Sequence, residues 1–327
     1  MKYTSITGTE LNVSALCLGA GNFGTSLSES ESHRQMDIFF EKGGTFIDTA
    51  RIYGDWVPGE TGRSERIIGD YLAERKNRDS WHIGTKGGHP LLSTMDIFRI
   101  NRDELIRDID NSLSALKSDS IDLYFLHRDN MNLGVEEIMD WMNEFVAAGK
   151  LRYFGCSNWK TKRIREAQQY AKTSGQMGFC ANQPLWNVGC YSVAAPAGLN
   201  MSVMDKEMVR FHRETTLTAV PYSSQADGYF SKLAACHSVT ERSRLQNRFA
   251  SPTNVAVFPA IKTMAEEHKV TISHIVLGYL LSQPTAVIPI FGSKSIDQLS
   301  DTLGGVEMEL SEAEIELLDS LNGSGLA

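Results

Sequence analysis

Short apolar runs alternate with amphipathic stretches along the chain. The runs are Ala15 to Leu18, Thr45 to Asp48, Trp81 to Thr85, Ile121 to Leu126, Tyr153 to Ser157, Ala181 to Pro184, Leu217 to Tyr222 and Val287 to Ile290. Their β-forming residues and flanking turn signals predict eight strands. Helical patterns fall between them, over Ser30 to Lys42, Ser64 to Glu74, 101 to 116, Val135 to Ala148, Thr161 to Lys172, Met204 to Glu214 and Val255 to Leu281, the last broken near Val270. The clearest is 101 to 116, where Asn101 and Glu104 make a capping-box-like start and Leu105, Ile109, Leu113 and Leu116 share one face.

Strand and helix recurring at this interval predict an α/β fold, a (β/α)8 TIM barrel over residues 1–327 as one domain. The opening KYTSITGTEL reads as a short N-terminal hairpin closing the barrel bottom. The competing architecture is the doubly wound open sheet. Gly19, Gly21 and Gly24 do fit a G-x-G-x-x-G spacing, but the acidic residue expected about 20 residues on is replaced by Asp48, nearly 30 away. The beat lengthens once, between Tyr222 and Val287, over a polar stretch too long for a plain connection and so a candidate functional loop.

Composition narrows the function classes. The 327 residues are 42% hydrophobic, enough for a large core, and the net charge of -8 with scattered Lys and Arg argues against a grip on nucleic-acid phosphates. Cys17, Cys156, Cys180, Cys190 and Cys236 are odd in number and irregularly spaced, without a metal-ligand pattern, and read as reduced thiols of a cytoplasmic protein. No leader-like apolar segment or membrane-length apolar run is present, so no membrane partner is expected.

In such a barrel the carboxyl ends of the strands carry the chemistry. The second predicted strand ends at Asp48 with Tyr53 just beyond, the third reaches Lys86, and the fourth is followed by His127. Each alone has an ordinary structural explanation, as a turn acceptor, an exposed charge or a rim residue. Together they make a proton-transfer device. A phenol is a poor acid at neutral pH unless its anion is stabilised, and a unit charge about 4 Å away is worth roughly 4 kcal/mol at an effective dielectric of about 20. Lys86 could supply that charge, Asp48 could hold the ammonium, and His127 could address the oxygen of an aldehyde or ketone.

At this point the chain resembles the aldo-keto reductases, over nearly its whole length. FIDTARIYG, GTKGG and DLYFLH resemble the segments carrying that family's catalytic tetrad, and the resemblance implies Tyr53 as acid/base with Asp48, Lys86 and His127 in support. GRSERIIG is similar to the family's G-x-S-E helix start. FGCSNW and ANQPLWN imply Ser157, Asn158 and Gln183 as contacts of the nicotinamide carboxamide, and Tyr222 as the ring stacked on the nicotinamide. The resemblance also implies Ser223 and Gln225, just beyond Tyr222, as coenzyme contacts. IPIFGSKSIDQLSDTL resembles the adenosine-phosphate segment and implies Gly292, Ser293, Lys294 and Gln298 there. Trp56 and Trp186 are expected as apolar walls of the substrate site, with packing in the core as the alternative for both. His89, Arg128, Asp129 and Asn130 fall on the same face of the barrel and point to a hydroxylated substrate.

Two segments depart from the family pattern. YSSQADGYF stands where members often read Y-S-P-L-x-x-G-x-L, and Gln298 stands where many NADP-specific members carry Arg. The short tail NGSGLA implies a substrate site more open than in members with a long carboxy-terminal flap, or one closed by other loops. The expectation is an NADP-dependent carbonyl reductase or alcohol dehydrogenase without a metal, using NADPH ahead of NADH, with a small-molecule carbonyl partner. A coenzyme-binding sensor on the same fold, and an isomerase or dehydratase using bound coenzyme transiently, are the alternatives. Coenzyme binding without turnover would mark the first, and product without net coenzyme change the second.

Overall fold

Two antiparallel strands open the chain, β1 (Tyr3–Ser5) and β2 (Asn12–Ser14), with Thr4 paired to Val13. The structure, a computed structural model, describes residues 1–191, 201–238, 241 and 248–322. Part of the polar stretch after Tyr222 and the end of the tail lie outside the described residues. The hairpin sits under the barrel: Ile6, Leu11 and Val13 pack with Cys17, Phe46, Leu123 and Ile288 from inside the sheet. Thr7 fastens it, its N–H donating to Thr218 Oγ1 at 3.0 Å and its hydroxyl to Thr216 O at 2.7 Å.

Eight parallel strands follow: β3 (Cys17–Gly19), β4 (Phe46–Asp48), β5 (His82–Gly87), β6 (Ile121–Leu126), β7 (Leu151–Ser157), β8 (Ala181–Gln183), β9 (Thr218–Ala219) and β10 (Ile290–Phe291). Neighbours run β10-β3-β4-β5-β6-β7-β8-β9, and a parallel bridge between Ala219 and Val287 joins the two ends of that row. This is the (β/α)8 fold expected from the beat. The last two strands are shorter in regular pairing than their apolar runs, which contain Pro221 and Pro289, residues with no N–H to give. Their carbonyls still serve: Ile290 N donates to Pro221 O at 2.9 Å and Cys17 N to Pro289 O at 3.0 Å.

Helices cover the sheet from outside: α1 (Glu29–Glu41), α2 (Arg63–Arg75), α3 (Arg102–Leu116), α4 (Val135–Ala147), α5 (Thr161–Ser174) and α6 (Lys206–Thr215). The start of α3 shows how far local reading reaches. Asn101 Oδ1 does accept from Glu104 N at 3.0 Å, but Glu104 turns away to Arg99 and Arg107 instead of closing the box. The long pattern from Val255 is two helices, Pro252–His268 and Ile272–Leu281, separated at Lys269, whose φ of 56° ends the first. A helix missed in the sequence, α7 (Tyr229–Ala235), lies within the polar stretch and buries Tyr229, Phe230 and Leu233. Close packing sets one composition rule: a Cβ on Gly69 of α2 would lie 2.1 Å from Ala115 O on α3, so only glycine lets these helices approach.

Candidate active site

Asp48 ends β4, and the following turn is tied down on both sides of Tyr53. Tyr53 N donates to Ala50 O at 2.9 Å, and Ser64 N at the head of α2 donates to Tyr53 O at 3.2 Å. The Ser64 hydroxyl donates to Ala20 O at 2.8 Å, so the loops after β3 and β4 share one anchor. Lys86 lies in β5, and His127 follows β6 with its N–H on Gly87 O at 2.9 Å.

These strand ends bring the four expected groups together. Lys86 Nζ donates to Asp48 Oδ2 and to Thr49 O, both at 2.6 Å, and to Tyr53 OH at 3.3 Å. Its ammonium is also 4.8 Å from the centroid of the Tyr53 ring. The Tyr53 and His127 rings meet edge to face at 6.0 Å. Asp48 is 3% exposed and Lys86 2%, so the pair interacts in a poorly solvated space. Burial works against the Lys86 ammonium, but the charges of Asp48 and Tyr53 outweigh it and hold Lys86 above its ordinary value. Burial pushes the Asp48 carboxyl up, against the pull of Lys86 and the Gln183 amide. Burial, with the His89, Arg128 and Lys86 neighbours adding to it, drives His127 well below its usual range, so its imidazole is neutral.

Beside this cluster stand the residues expected at the carboxamide. Asn158, held at φ 63°, donates to Ser157 Oγ at 3.1 Å and to His127 O at 3.3 Å, and accepts from Tyr222 OH at 2.8 Å. Ser157 Oγ donates to Gln183 O at 2.9 Å, and Gln183 Nε2 donates to Asp48 Oδ1 at 2.8 Å. The amides and the cluster of Asp48, Tyr53 and Lys86 are therefore one bonded network, with the half-buried Tyr222 ring at its edge.

The segments expected to line the outer part of a coenzyme are placed separately. Gln225 Nε2 donates to Thr302 Oγ1 at 3.2 Å, and Ser224 Oγ to Ile290 O at 2.6 Å, which joins the end of β9 to β10 and the helix Ile296–Gly304. Beyond β10, Gly292 is exposed, the Ser293 hydroxyl donates to Gln35 Oε1 at 2.9 Å, and Lys294 N donates to Gln298 Oε1 at 2.9 Å. Ser295 caps the helix. Trp56 is 50% exposed beside Tyr53, their rings 6.4 Å apart, on the open side of the cluster. Trp186 is 4% exposed and packs edge-on against Tyr279.

The sequence did not suggest Arg248. It lies in the polar stretch, yet its guanidinium reaches back to Ser223 Oγ at 2.5 Å and to Asp227 Oδ1 at 3.0 Å, so a distant residue braces the segment after Tyr222. Only its charge and its place in an overlong connection could have drawn notice.

A family model described as the Aldo/keto reductase family matches residues 15–323. Norsolorinic acid reductase B of Dothistroma septosporum is 26% identical, over 98% of this chain and 81% of its own length. The uncharacterized oxidoreductase YrpG of Bacillus subtilis is 27% identical, over 98% of this chain and 96% of its own. Among solved structures, the thermostable aldo-keto reductase Tm1743, in complex with the inhibitor epalrestat, superposes with a TM-score of 0.71 at 25% identity, covering 98% of this chain and all of that one.

Proposed function

The chain belongs to the aldo/keto reductase family and is an oxidoreductase, and we propose that it reduces an aldehyde or ketone to the alcohol, using NADPH ahead of NADH. The observation that carries this reading is the triple engagement of Lys86 Nζ by Asp48, Thr49 O and Tyr53 OH. A structural lysine needs no phenol as its third partner, whereas an acid/base phenol needs a fixed cation.

The donor set suits a nicotinamide. A carboxamide needs hydroxyl and amide partners beside a flat ring, and Ser157, Asn158, Gln183 and Tyr222 offer them within one hydrogen-bonded group. When bound, the coenzyme supplies the hydride. The chain's own residues do the rest. Tyr53 delivers the proton from its hydroxyl to the carbonyl oxygen, and Lys86 stabilises the phenolate left behind. Asp48 keeps the ammonium from swinging away. The neutral His127 offers an N–H to the same oxygen and adds no charge that would repel Lys86. Burial of Asp48 and Lys86 keeps water from weakening these interactions.

Steady-state oxidation of NADPH, followed with a panel of aldehydes and ketones and repeated with NADH, tests the proposal. Substrate-dependent consumption with a lower Michaelis constant for NADPH is the expected result. Tight coenzyme binding without turnover on any carbonyl compound overturns it.

A further inference from the structure

We propose that Arg128 is the anion-recognition residue of the substrate site and that the carbonyl compound reduced there carries a carboxylate, an inference that rests on the reductase reading above. Arg128 directly follows His127 at the end of β6. Its carbonyl accepts the Trp159 indole N–H at 3.0 Å, which fixes the backbone. The side chain is steered by His89. Nδ1 of His89 lies 2.7 Å from Pro90 O, which places its hydrogen there and leaves Nε2 to accept from Arg128 Nη2 at 3.3 Å. His89 is itself held by Arg99, which donates to its carbonyl at 3.0 Å. Burial, helped by the Arg128 charge, lowers His89 to about 4, so this imidazole is neutral.

Three other cations near these strand ends have carboxylate partners. Lys86 pairs with Asp48 at 2.6 Å, Arg163 with Asp129 at 3.0 Å, and Arg99 with Asp108 at 2.8 Å. Arg128 differs. Among the described residues no carboxylate pairs with it: its Nη atoms reach His127 O at 3.5 Å and His89 Nε2, and its Nε is buried with no partner. Burial holds the guanidinium below its ordinary value, and only the Tyr222 and Tyr53 hydroxyls oppose that shift. A half-buried guanidinium facing only neutral groups is costly unless an anion arrives with the ligand.

The sheet order says which ligand brings that anion. In the ring of eight strands β6 lies opposite β10, beyond which the Lys294 loop is proposed to take the coenzyme's phosphate. The next two strands after β6, β7 and β8, present Ser157, Asn158 and Gln183, the proposed partners of an uncharged carboxamide. The substrate is therefore the carrier of the anion, and a planar guanidinium with unused N–H groups matches a carboxylate bidentately.

Benzaldehyde compared with 2-, 3- and 4-formylbenzoate, which carry the carboxylate at increasing reach, tests the proposal in the full chain with NADPH. At least one formylbenzoate is expected to exceed benzaldehyde in kcat/KM by about ten- to a hundredfold, the range of a charge-assisted contact. Arg128→Ala brings that ratio near one, and Arg128→Lys restores part of it. Calorimetric titration of benzoate, with benzamide as the neutral control, into the NADP-loaded protein gives a second readout: Arg128→Ala weakens benzoate by a similar factor and benzamide by much less. Equal kcat/KM for charged and neutral aldehydes in the wild type overturns the proposal. So does an Arg128→Ala variant in which benzoate, benzamide and coenzyme weaken together. If no aldehyde is reduced at all, the reductase reading falls, and the benzoate titration decides the anion site by itself.

Discussion

Gln183 Nε2 donates to Asp48 Oδ1 at 2.8 Å, joining residues 135 positions apart across the barrel mouth. The same carboxylate holds Lys86 through its other oxygen at 2.6 Å, so a proposed carboxamide partner, a carboxylate, an ammonium and a phenol form one chain of contacts. Buried networks of this kind are rigid when every member is satisfied and costly when one is removed.

Tyr53→Phe is the direct test of the proton donor. It removes one hydroxyl that accepts from Lys86 at 3.3 Å and leaves the ring beside His127 in place. Turnover should fall by about a hundredfold or more, the usual size of a lost general acid, while the dissociation constant for NADPH, read by fluorescence titration, changes little. A variant that reduces a good aldehyde at near the wild-type rate removes Tyr53 from the mechanism.

Lys86→Met separates chemistry from stability. Asp48 would be left 3% exposed with its cation gone, a change that costs about 3–5 kcal/mol. Burial already raises the Asp48 carboxyl, and losing Lys86 raises it further. The folded form then binds a proton more readily than the unfolded one, so the deficit should be smallest in acid and grow as pH rises above the ordinary carboxylate range near ~4. Adding Asp48→Asn removes the stranded charge. The double variant should recover much of the stability in urea melts but none of the activity. If both single changes and the double prove additive, the pair is not coupled.

The strand-and-helix beat was legible because parallel strands covered on both faces are nearly continuous apolar runs, and Ile121–Leu126 is buried at all six positions. Asp48, Tyr53, Lys86 and His127 could be singled out because each stands at or just beyond such a run. What pairs with what was not legible. Arg128 meets His89 across 39 positions and Arg248 meets Ser223 across 25, and no local pattern records either contact. Helix α7 was hidden for another reason: it is only seven residues long and starts just after Gly228 at φ 72°, within a stretch whose polar residues outnumber its apolar ones. For Trp186 the sequence left a substrate wall and a core aromatic both open, and its contact with Tyr279, on a helix far along the chain, is one that no local pattern records.

Glu65 should give the protein a measurable pH dependence away from the active site. Thr85 Oγ1 donates to Glu65 Oε1 at 2.5 Å, but Oε2 is buried without a partner. Burial pushes the carboxyl up to about 7, against the pull of the Thr85 and Ser112 hydroxyls and of Arg51. Between its ordinary value of 4.5 and 7 the folded protein therefore holds a proton that the unfolded chain releases, and stability falls as pH rises through that window. The fall is on the order of 3 kcal/mol. Glu65→Gln cannot titrate, so its stability relative to wild type should improve by that order between pH ~5 and ~8 in denaturant melts. An unchanged difference at the two pH values would mean that Glu65 stays ionised.

Coenzyme choice comes down to Lys294. Of the groups around the proposed phosphate position, the Ser293 hydroxyl already donates to Gln35 Oε1 at 2.9 Å, the Ser295 hydroxyl caps the helix by accepting from Gln298 N, and Gln298 Oε1 holds Lys294 N at 2.9 Å. Those contacts shape the loop, and they leave the exposed Lys294 ammonium as the group able to distinguish a ribose bearing a 2′-phosphate from one without it. A charge-assisted contact of this kind is worth about 1.5–3 kcal/mol. Lys294→Ala should raise the Michaelis constant for NADPH by about ten- to a hundredfold and leave that for NADH nearly unchanged. Salt offers an independent check, because an exposed ammonium is screened within about 10 Å at 0.1 M ionic strength. The wild-type preference for NADPH should therefore shrink as salt is raised, while the Lys294→Ala variant shows little salt dependence. Equal losses for both coenzymes would assign Lys294 to the shape of the loop, and would leave Tyr53, Lys86 and Asp48 as they stand.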